Sequence, residues 1–158
     1  MNEALLGEIA VETADGMEAL GRRIGESLVA GDLIVLTGAL GAGKTTLTRG
    51  IGAGLGVRGP VQSPTFVIAR THPSLGDGPP LIHVDAYRLG SAAELDDLDL
   101  DVDGSVVIVE WGHGMVEGLR DHWWEIEIER PTGDDVGGLA DDELDGDTTR
   151  HIRIVARP

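Results

Sequence analysis

Cysteine and long apolar runs are both missing from this sequence of 158 residues. Without thiols the chain can form neither a disulfide nor a metal site built on thiolates. No apolar run approaches the ~20 residues of a membrane-spanning helix, and none has the pattern of a signal peptide. We therefore expect a cytoplasmic protein that makes no membrane contact.

Basic residues are few, since 12 lysines and arginines stand against 28 acidic residues and give a formal net charge of −16. Nucleic-acid backbones are bound by basic surfaces, so direct binding to nucleic acid is disfavoured. The acidic excess lies mainly in residues 94–103 and 134–147, which we interpret as solvated surface. Only one lysine occurs, Lys44.

The length of the chain predicts a single domain over residues 1–158. A chain of this size buries about two-thirds of its unfolded surface and needs no covalent staples. Residues 133–150 are acidic and rich in glycine, a composition that predicts a flexible loop within the domain.

The only lysine lies in a phosphate-binding pattern. Residues 33–47 read LIVLTGALGAGKTTL, in which Gly38, Gly43, Lys44 and Thr45 match G-x-x-x-x-G-K-[ST] after an apolar run and before a helical pattern. Glycines in such a loop allow successive backbone N–H groups to surround a phosphate, and the following helix adds its positive end. The lysine then supplies a charge and the threonine a hydroxyl for Mg²⁺.

Apolar periodicity predicts the elements around this loop. A helix capped by Asp15 should stop at Gly31, and Ser91 should cap a short helix. The helix after the loop should end near residues 54–56, because Gly50, Gly52 and Gly54 each cost about 1 kcal/mol relative to alanine. Strands are predicted at residues 8–12, 33–36, 81–85, 106–110, 123–129 and 151–156, and a further strand should follow the loop around Pro64.

Two short apolar strands, LIHVD at residues 81–85 and VVIVE at residues 106–110, each end on a carboxylate, namely Asp85 and Glu110. Ligands of open α/β sheets collect at the carboxyl ends of the strands, so both acids could face the phosphate loop, and either could be the acidic partner of Mg²⁺. The order of elements predicts an α/β, P-loop NTPase-like fold of three layers. Its sheet should be mixed and mainly parallel, with helices on both faces.

A phosphate loop does not by itself specify a reaction. A GTPase of the small type is disfavoured, because its N-K-x-D element is missing and the only asparagine is Asn2. Three classes remain open: an ATP hydrolase, a small-molecule kinase, and a nucleotide-controlled interaction module that turns over poorly or not at all.

Four motifs, read together, resemble the bacterial TsaE family. They are the phosphate loop, Ser63-Pro64-Thr65-Phe66, His83-x-Asp85-x-Tyr87-Arg88-Leu89 and Glu110-Trp111. The resemblance implies a Mg²⁺-dependent ATPase that supports threonylcarbamoyl modification of the adenosine beside the anticodon in tRNA. It also implies that the protein acts with TsaD and TsaB, and that tRNA is met only through this complex.

The resemblance assigns candidate site residues. Lys44, Asp85 and Glu110 are the catalytic candidates; Thr45 and Glu110 would hold Mg²⁺, and Asp85 would orient or deprotonate water. Reasoning from the residues alone leaves the roles of Asp85 and Glu110 exchangeable. The phosphates of ATP would be cradled by Leu40, Gly41, Ala42, Gly43, Lys44, Thr45 and Thr46.

Most of the other motif residues have more than one possible role. His83 is a core histidine or a catalytic one, and Trp111 is favoured as a core residue over a neighbour of the nucleotide. Tyr87 and Phe66 pack beside the site or form a docking surface. Arg88 is a candidate for stabilising transition-state charge, and Thr65 would contact a phosphate, a partner or its own turn. Two departures from the family pattern are Ala39, where an acidic residue is usual, and Met17, where many members carry threonine.

Overall fold

The structure is a computed structural model that describes residues 1, 3–39, 42–59, 61, 68–129 and 149–157. Its strands are β1 (Gly7–Val11), β2 (Leu33–Gly38), β3 (Ala69–His72), β4 (Leu81–Asp85), β5 (Val106–Glu110), β6 (Trp123–Glu129) and β7 (Arg150–Arg157). The helices are α1 (Ala14–Ser27), α2 (Lys44–Leu55) and α3 (Ala92–Asp96), with single 3₁₀ turns at Glu3–Leu5 and Ala86–Arg88. None of the described helices has the length and apolar character needed to cross a membrane.

All seven strands form one mixed sheet in the order β1-β7-β6-β2-β5-β4-β3. The pairings of β2 with β5, β2 with β6 and β4 with β5 are parallel, whereas the outer pairings are antiparallel. The prediction of a mainly parallel sheet is therefore wrong, because half of the pairings in the described chain are antiparallel. The parallel part is the centre, where crossover connections join the strands; α2 and α3 lie in the connections that lead from β2 to β5, whereas turns alone connect β5 to β6. The edges are built from strands that return beside their neighbours.

The helices are distributed unevenly over the two faces. Both long helices pack on one face, where Leu20, Ile24, Leu47 and Ile51 share a core with the central strands. Among the described helices, the five-residue helix α3 lies on the other face and contributes Leu95, while Ala86 of a 3₁₀ turn and loop residues complete the cover. Helices thus lie on both faces as predicted, but one of these layers is mostly loop.

Glycines bring α1 and α2 into close contact. A Cβ atom on Gly50 would lie 2.3 Å from the carbonyl oxygen of Glu18, and one on Gly21 would lie 2.3 Å from that of Leu47. From the sequence, Gly50 and Gly54 are only a cost to helix formation, because periodicity does not show which helix lies against them. Their missing side chains allow the two backbones to touch.

Several helix ends differ from the prediction. The N-cap of α1 is Thr13, whose hydroxyl accepts a hydrogen bond from the Gly16 N–H at 2.9 Å, so the assignment of Asp15 as the cap is wrong. The helix ends at Ser27, before the predicted stop at Gly31, which lies in the following turn. The other two predictions are confirmed: α2 ends at a left-handed Gly56, and Ser91 caps α3.

Candidate functional site

The start of α2 presents Lys44 at the end of the central strand β2. Gly43 precedes the helix with a φ of 106°, a left-handed conformation that glycine adopts without strain. Lys44 is the first helical residue and only 9% of it is exposed, and its carbonyl oxygen accepts a hydrogen bond from the Thr48 hydroxyl at 2.7 Å. The next residue, Thr45, is exposed at the N-terminal end of the helix, where backbone N–H groups have no helical partner.

Glu110 lies beside this lysine at the carboxyl end of β5. In the sheet register Glu110 is opposite Leu36 of β2 on one side and Asp85 of β4 on the other. Its Oε1 atom is 3.7 Å from Lys44 Nζ, and its Oε2 atom is 2.6 Å from the Nε2 atom of His83. Both partners are buried, as is the carboxylate itself.

The carboxylate of Glu110 is held in its charged form. Burial alone raises the pKa of this group, but the hydrogen bond and charge of His83, together with Lys44, outweigh burial and lower the pKa below its ordinary value. A buried, ionised carboxylate therefore lies beside a buried ammonium group at the end of the phosphate-loop strand.

Trp111 covers the lysine from outside. The Lys44 Nζ atom is 4.3 Å from the centre of the indole ring, within the range of a cation–π interaction. The Tyr87 ring meets the indole edge to face, with ring centres 5.4 Å apart. Trp111 is 42% exposed and Tyr87 71% exposed, so the expectation of a core tryptophan is wrong.

The exposure of Trp111 has a local cause. Its φ of 61° is left-handed, which is uncommon for a residue other than glycine, and it turns the chain sharply after the strand. The indole consequently leaves the strand end and lies over the mouth of the site. Alternation along the strand could not indicate this turn.

Asp85 ends the strand next to that of Glu110 and is partly exposed. Its Oδ1 atom accepts a hydrogen bond from the Tyr87 N–H at 3.0 Å, which caps the 3₁₀ turn Ala86–Arg88. The turn carries Arg88, which is exposed. The structure thus separates the two acids, since Glu110 contacts Lys44 whereas Asp85 stabilises the turn at the rim.

Arg150 is a residue of this region that the sequence analysis missed. It begins β7, is 2% exposed, and its Cδ and Nε atoms would lie 3.4 Å from a Cβ on Gly43. The Cε atom of Met17 would lie at the same distance of 3.4 Å, so this residue lies beside Gly43. Placing Arg150 in a flexible loop was wrong, because it pairs with Val11 in the sheet. The rest of that predicted loop, up to residue 148, lies outside the described residues.

The described residues contain no group of three histidine, cysteine or acidic side chains arranged to hold a metal ion. Mg²⁺ bound with a nucleotide does not need such a group, because one or two protein oxygens combine with phosphate oxygens and water. The charged carboxylate that contacts Lys44 and the hydroxyl of the next residue, at a helix N-terminus, are a donor set of this kind. Glu110 and Thr45 therefore fit a magnesium–nucleotide complex.

Comparison with known proteins identifies the family. The family model "Threonylcarbamoyl adenosine biosynthesis protein TsaE" matches residues 11–136 of the chain. The chain belongs to the TsaE family. The match includes every site residue described above except Arg150.

Similar relatives carry the family name. A tRNA threonylcarbamoyladenosine biosynthesis protein TsaE from Streptomyces coelicolor is 57% identical over 87% of this chain and 88% of its own length. The Mycobacterium tuberculosis relative is 50% identical over 73% of this chain and 74% of its own. The crystal structure of Bacillus subtilis YdiB aligns with a TM-score of 0.64 and 29% identity, covering 95% of this chain and 84% of that one.

The remaining predicted site residues of this TsaE-family chain fall into two groups. Ala42 is buried, while Gly43 and Thr46 are partly exposed, all at the start of α2. Leu40 and Gly41 of the phosphate loop, and the motif Ser63, Pro64, Thr65 and Phe66, lie outside the described residues. Of the catalytic candidates, the structure brings Lys44 and Glu110 into contact and adds His83 to them.

Proposed function

We propose that this chain is a Mg²⁺-dependent ATPase with a P-loop-type fold, and that it supports threonylcarbamoyladenosine formation in tRNA together with TsaB and TsaD. Membership of the TsaE family supports the pathway. The observation that carries the ATPase proposal is the buried contact between Lys44 and Glu110 at the end of the phosphate-loop strand. A lysine, a carboxylate and a helix N-terminus at one point are the groups that a phosphoryl-transfer site requires.

Each residue has a role in this proposal. Residues 40–46 bind the phosphates through backbone N–H groups, and Lys44 moves its ammonium group from Glu110 to the phosphate oxygens. Thr45 and Glu110 would hold Mg²⁺, which when bound neutralises charge on the phosphates. Asp85, with one oxygen held by the Tyr87 N–H, has a second oxygen with which to orient the attacking water.

Partner docking fits the surface around the site. Tyr87 and Trp111 form an exposed aromatic pair at its mouth, and aromatic side chains of this kind are enriched at protein interfaces. The net charge of −16 makes direct contact with tRNA phosphates unfavourable. We therefore assign tRNA contact to TsaB and TsaD, and expect their docking to order the site and accelerate hydrolysis.

Phosphate release from Mg-ATP tests this function. It is measured for the purified protein alone and with TsaB and TsaD, with Glu110→Ala as the matched variant. We expect stimulation by the partners that the variant lacks, while the variant still binds ATP. Binding of ATP without hydrolysis in the complex would indicate a nucleotide-controlled module instead. Transfer of phosphate to a small-molecule acceptor in step with ADP formation would indicate a kinase.

A further inference from the structure

The buried side chain of His83 lies between the core and the candidate site. His83 is on β4 opposite Ile108 of β5, and its imidazole reaches diagonally along the sheet to Glu110, two residues further on. Only 1% of the residue is exposed. The distance of 2.6 Å between Nε2 and the carboxylate Oε2 requires a proton between them, so Nε2 is a donor to Glu110.

The two oxygens of Glu110 consequently have different partners. Oε2 is bound by His83 from within the sheet, whereas Oε1 is directed to Lys44. In the proposed function Lys44 leaves Glu110 for the phosphates, and His83 is then the contact that remains. A glutamate side chain held at one oxygen keeps its orientation, and its second oxygen stays toward the loop.

A purely structural role explains His83 poorly. Its second ring nitrogen, Nδ1, is buried and has no hydrogen-bond partner among the described residues. A buried polar atom without a partner destabilises the folded protein, and an apolar side chain of similar size would avoid that cost. What an apolar residue could not supply is the Nε2–H donor to Glu110.

We propose that His83 is a positioning residue that holds the Glu110 carboxylate in the orientation needed to bind the Mg²⁺ of Mg-ATP. The proposal rests on the proposed ATPase function and adds a residue to it. Groups that orient a metal ligand in this way typically affect metal affinity or activity by about 10- to 100-fold when removed. The histidine itself touches neither nucleotide nor metal.

The test compares His83→Leu with His83→Gln. Leucine fills the space without a donor, whereas the glutamine amide places an N–H close to the position of Nε2. The affinity for AMP-PNP, a slowly hydrolysed ATP analogue, is measured by calorimetry in Mg²⁺ and in EDTA. We expect His83→Leu to lower the Mg²⁺-dependent gain in affinity about tenfold and to leave the affinity in EDTA unchanged. His83→Gln should restore most of the gain.

A second pair of variants locates the effect at Glu110. In a Glu110→Gln background, His83→Leu should produce no further loss of the Mg²⁺-dependent gain. The positioning role would be overturned if His83→Leu caused the same loss in the wild-type and Glu110→Gln backgrounds. It would also be overturned if His83→Leu lowered the affinity equally in Mg²⁺ and in EDTA. If His83→Leu fails to fold, the test rests on His83→Gln. The positioning role is supported if His83→Gln keeps the Mg²⁺-dependent gain in affinity. It is overturned if His83→Gln loses as much of this gain as Glu110→Gln does. A wild-type protein that binds no nucleotide would instead refute the proposed function.

Discussion

Replacement of Gly50 by alanine tests how closely the helix that carries Lys44 packs on α1. A Cβ at this position would lie 2.3 Å from the carbonyl oxygen of Glu18, and folded proteins essentially never show such contacts under 3.0 Å. The two backbones would have to separate locally by about 0.7 Å. Neither atom belongs to a flexible side chain, so no rotation can relieve the contact.

The expected magnitude follows from two opposing effects. Overpacking of this kind typically costs about 1–3 kcal/mol, whereas alanine in a helix gains about 1 kcal/mol over glycine. We expect Gly50→Ala to lower the free energy of unfolding by up to about 2 kcal/mol, which corresponds to a fall in Tm of up to about 6 °C for a chain of this size. The displacement of α2 should also weaken ATP binding, because Lys44 and Thr45 begin this helix.

The matched control is Gly52→Ala in the same helix. Its Cβ would meet Cγ2 of Val61 at 2.4 Å, which is a side-chain atom and not a backbone atom, while the gain in helix propensity is the same. Thermal and denaturant unfolding should therefore show a larger loss of stability for Gly50→Ala than for Gly52→Ala. If Gly50→Ala is as stable as Gly52→Ala, backbone contact between the two helices does not limit their packing.

Three further predictions concern charge. Lys44→Ala should weaken ATP binding, since an ammonium about 4 Å from a phosphate charge contributes up to ~4 kcal/mol before solvation costs. An unchanged affinity for ATP, measured by calorimetry, would contradict this. Trp111→Ala should expose the Lys44 ammonium and lower the stability of the nucleotide-free protein by about 0.5–2 kcal/mol. Trp111→Phe should lose less stability, because the phenyl ring retains part of the cation–π interaction. Identical unfolding curves for Trp111→Ala and the wild type would exclude the cation–π contact. The third prediction concerns Glu125, which is buried. Burial raises the pKa of its carboxylate, but this group accepts hydrogen bonds from Trp123 Nε1 at 3.3 Å and from Arg157 Nε at 3.1 Å. These contacts outweigh burial and lower the pKa below the ordinary 4.5. A lowered folded pKa stabilises the protein above pH 4.5, so Glu125→Gln should be less stable at pH 7 by about 1 kcal/mol. This difference should shrink as the pH falls below 4.5 and disappear once the pH has fallen through the lowered pKa of the folded state. A difference that is constant with pH would refute the charge effect.

Local patterns predicted the elements that surround the site. The strands Leu81–Asp85, Val106–Glu110 and Trp123–Glu129 have the bounds that their apolar runs indicated. The helix after the phosphate loop begins at Lys44 and ends before Gly56, as its motif and glycines implied. Such features depend on residues near in sequence, so one chain suffices to recognise them.

Contacts between distant segments could not be predicted in this way. Nothing in the sequence indicates that Gly50 faces Glu18 or that Arg150 lies beside Gly43. The direction of the Trp111 indole depends on a single left-handed residue at a strand end. Each of these features is set by which elements become neighbours after folding.

The sequence by itself determined the phosphate-loop pattern, the family resemblance and the carboxylates Asp85 and Glu110 at the ends of two short apolar strands. These are properties of residue type and spacing, which backbone geometry converts directly into a loop or a strand end. Only the tertiary structure distinguished the two acids, because parallel pairing of β2, β4 and β5 brings Glu110 to Lys44 and His83 while Asp85 caps the neighbouring turn. The difference arises from side-chain distances across the sheet, which no spacing along the chain encodes.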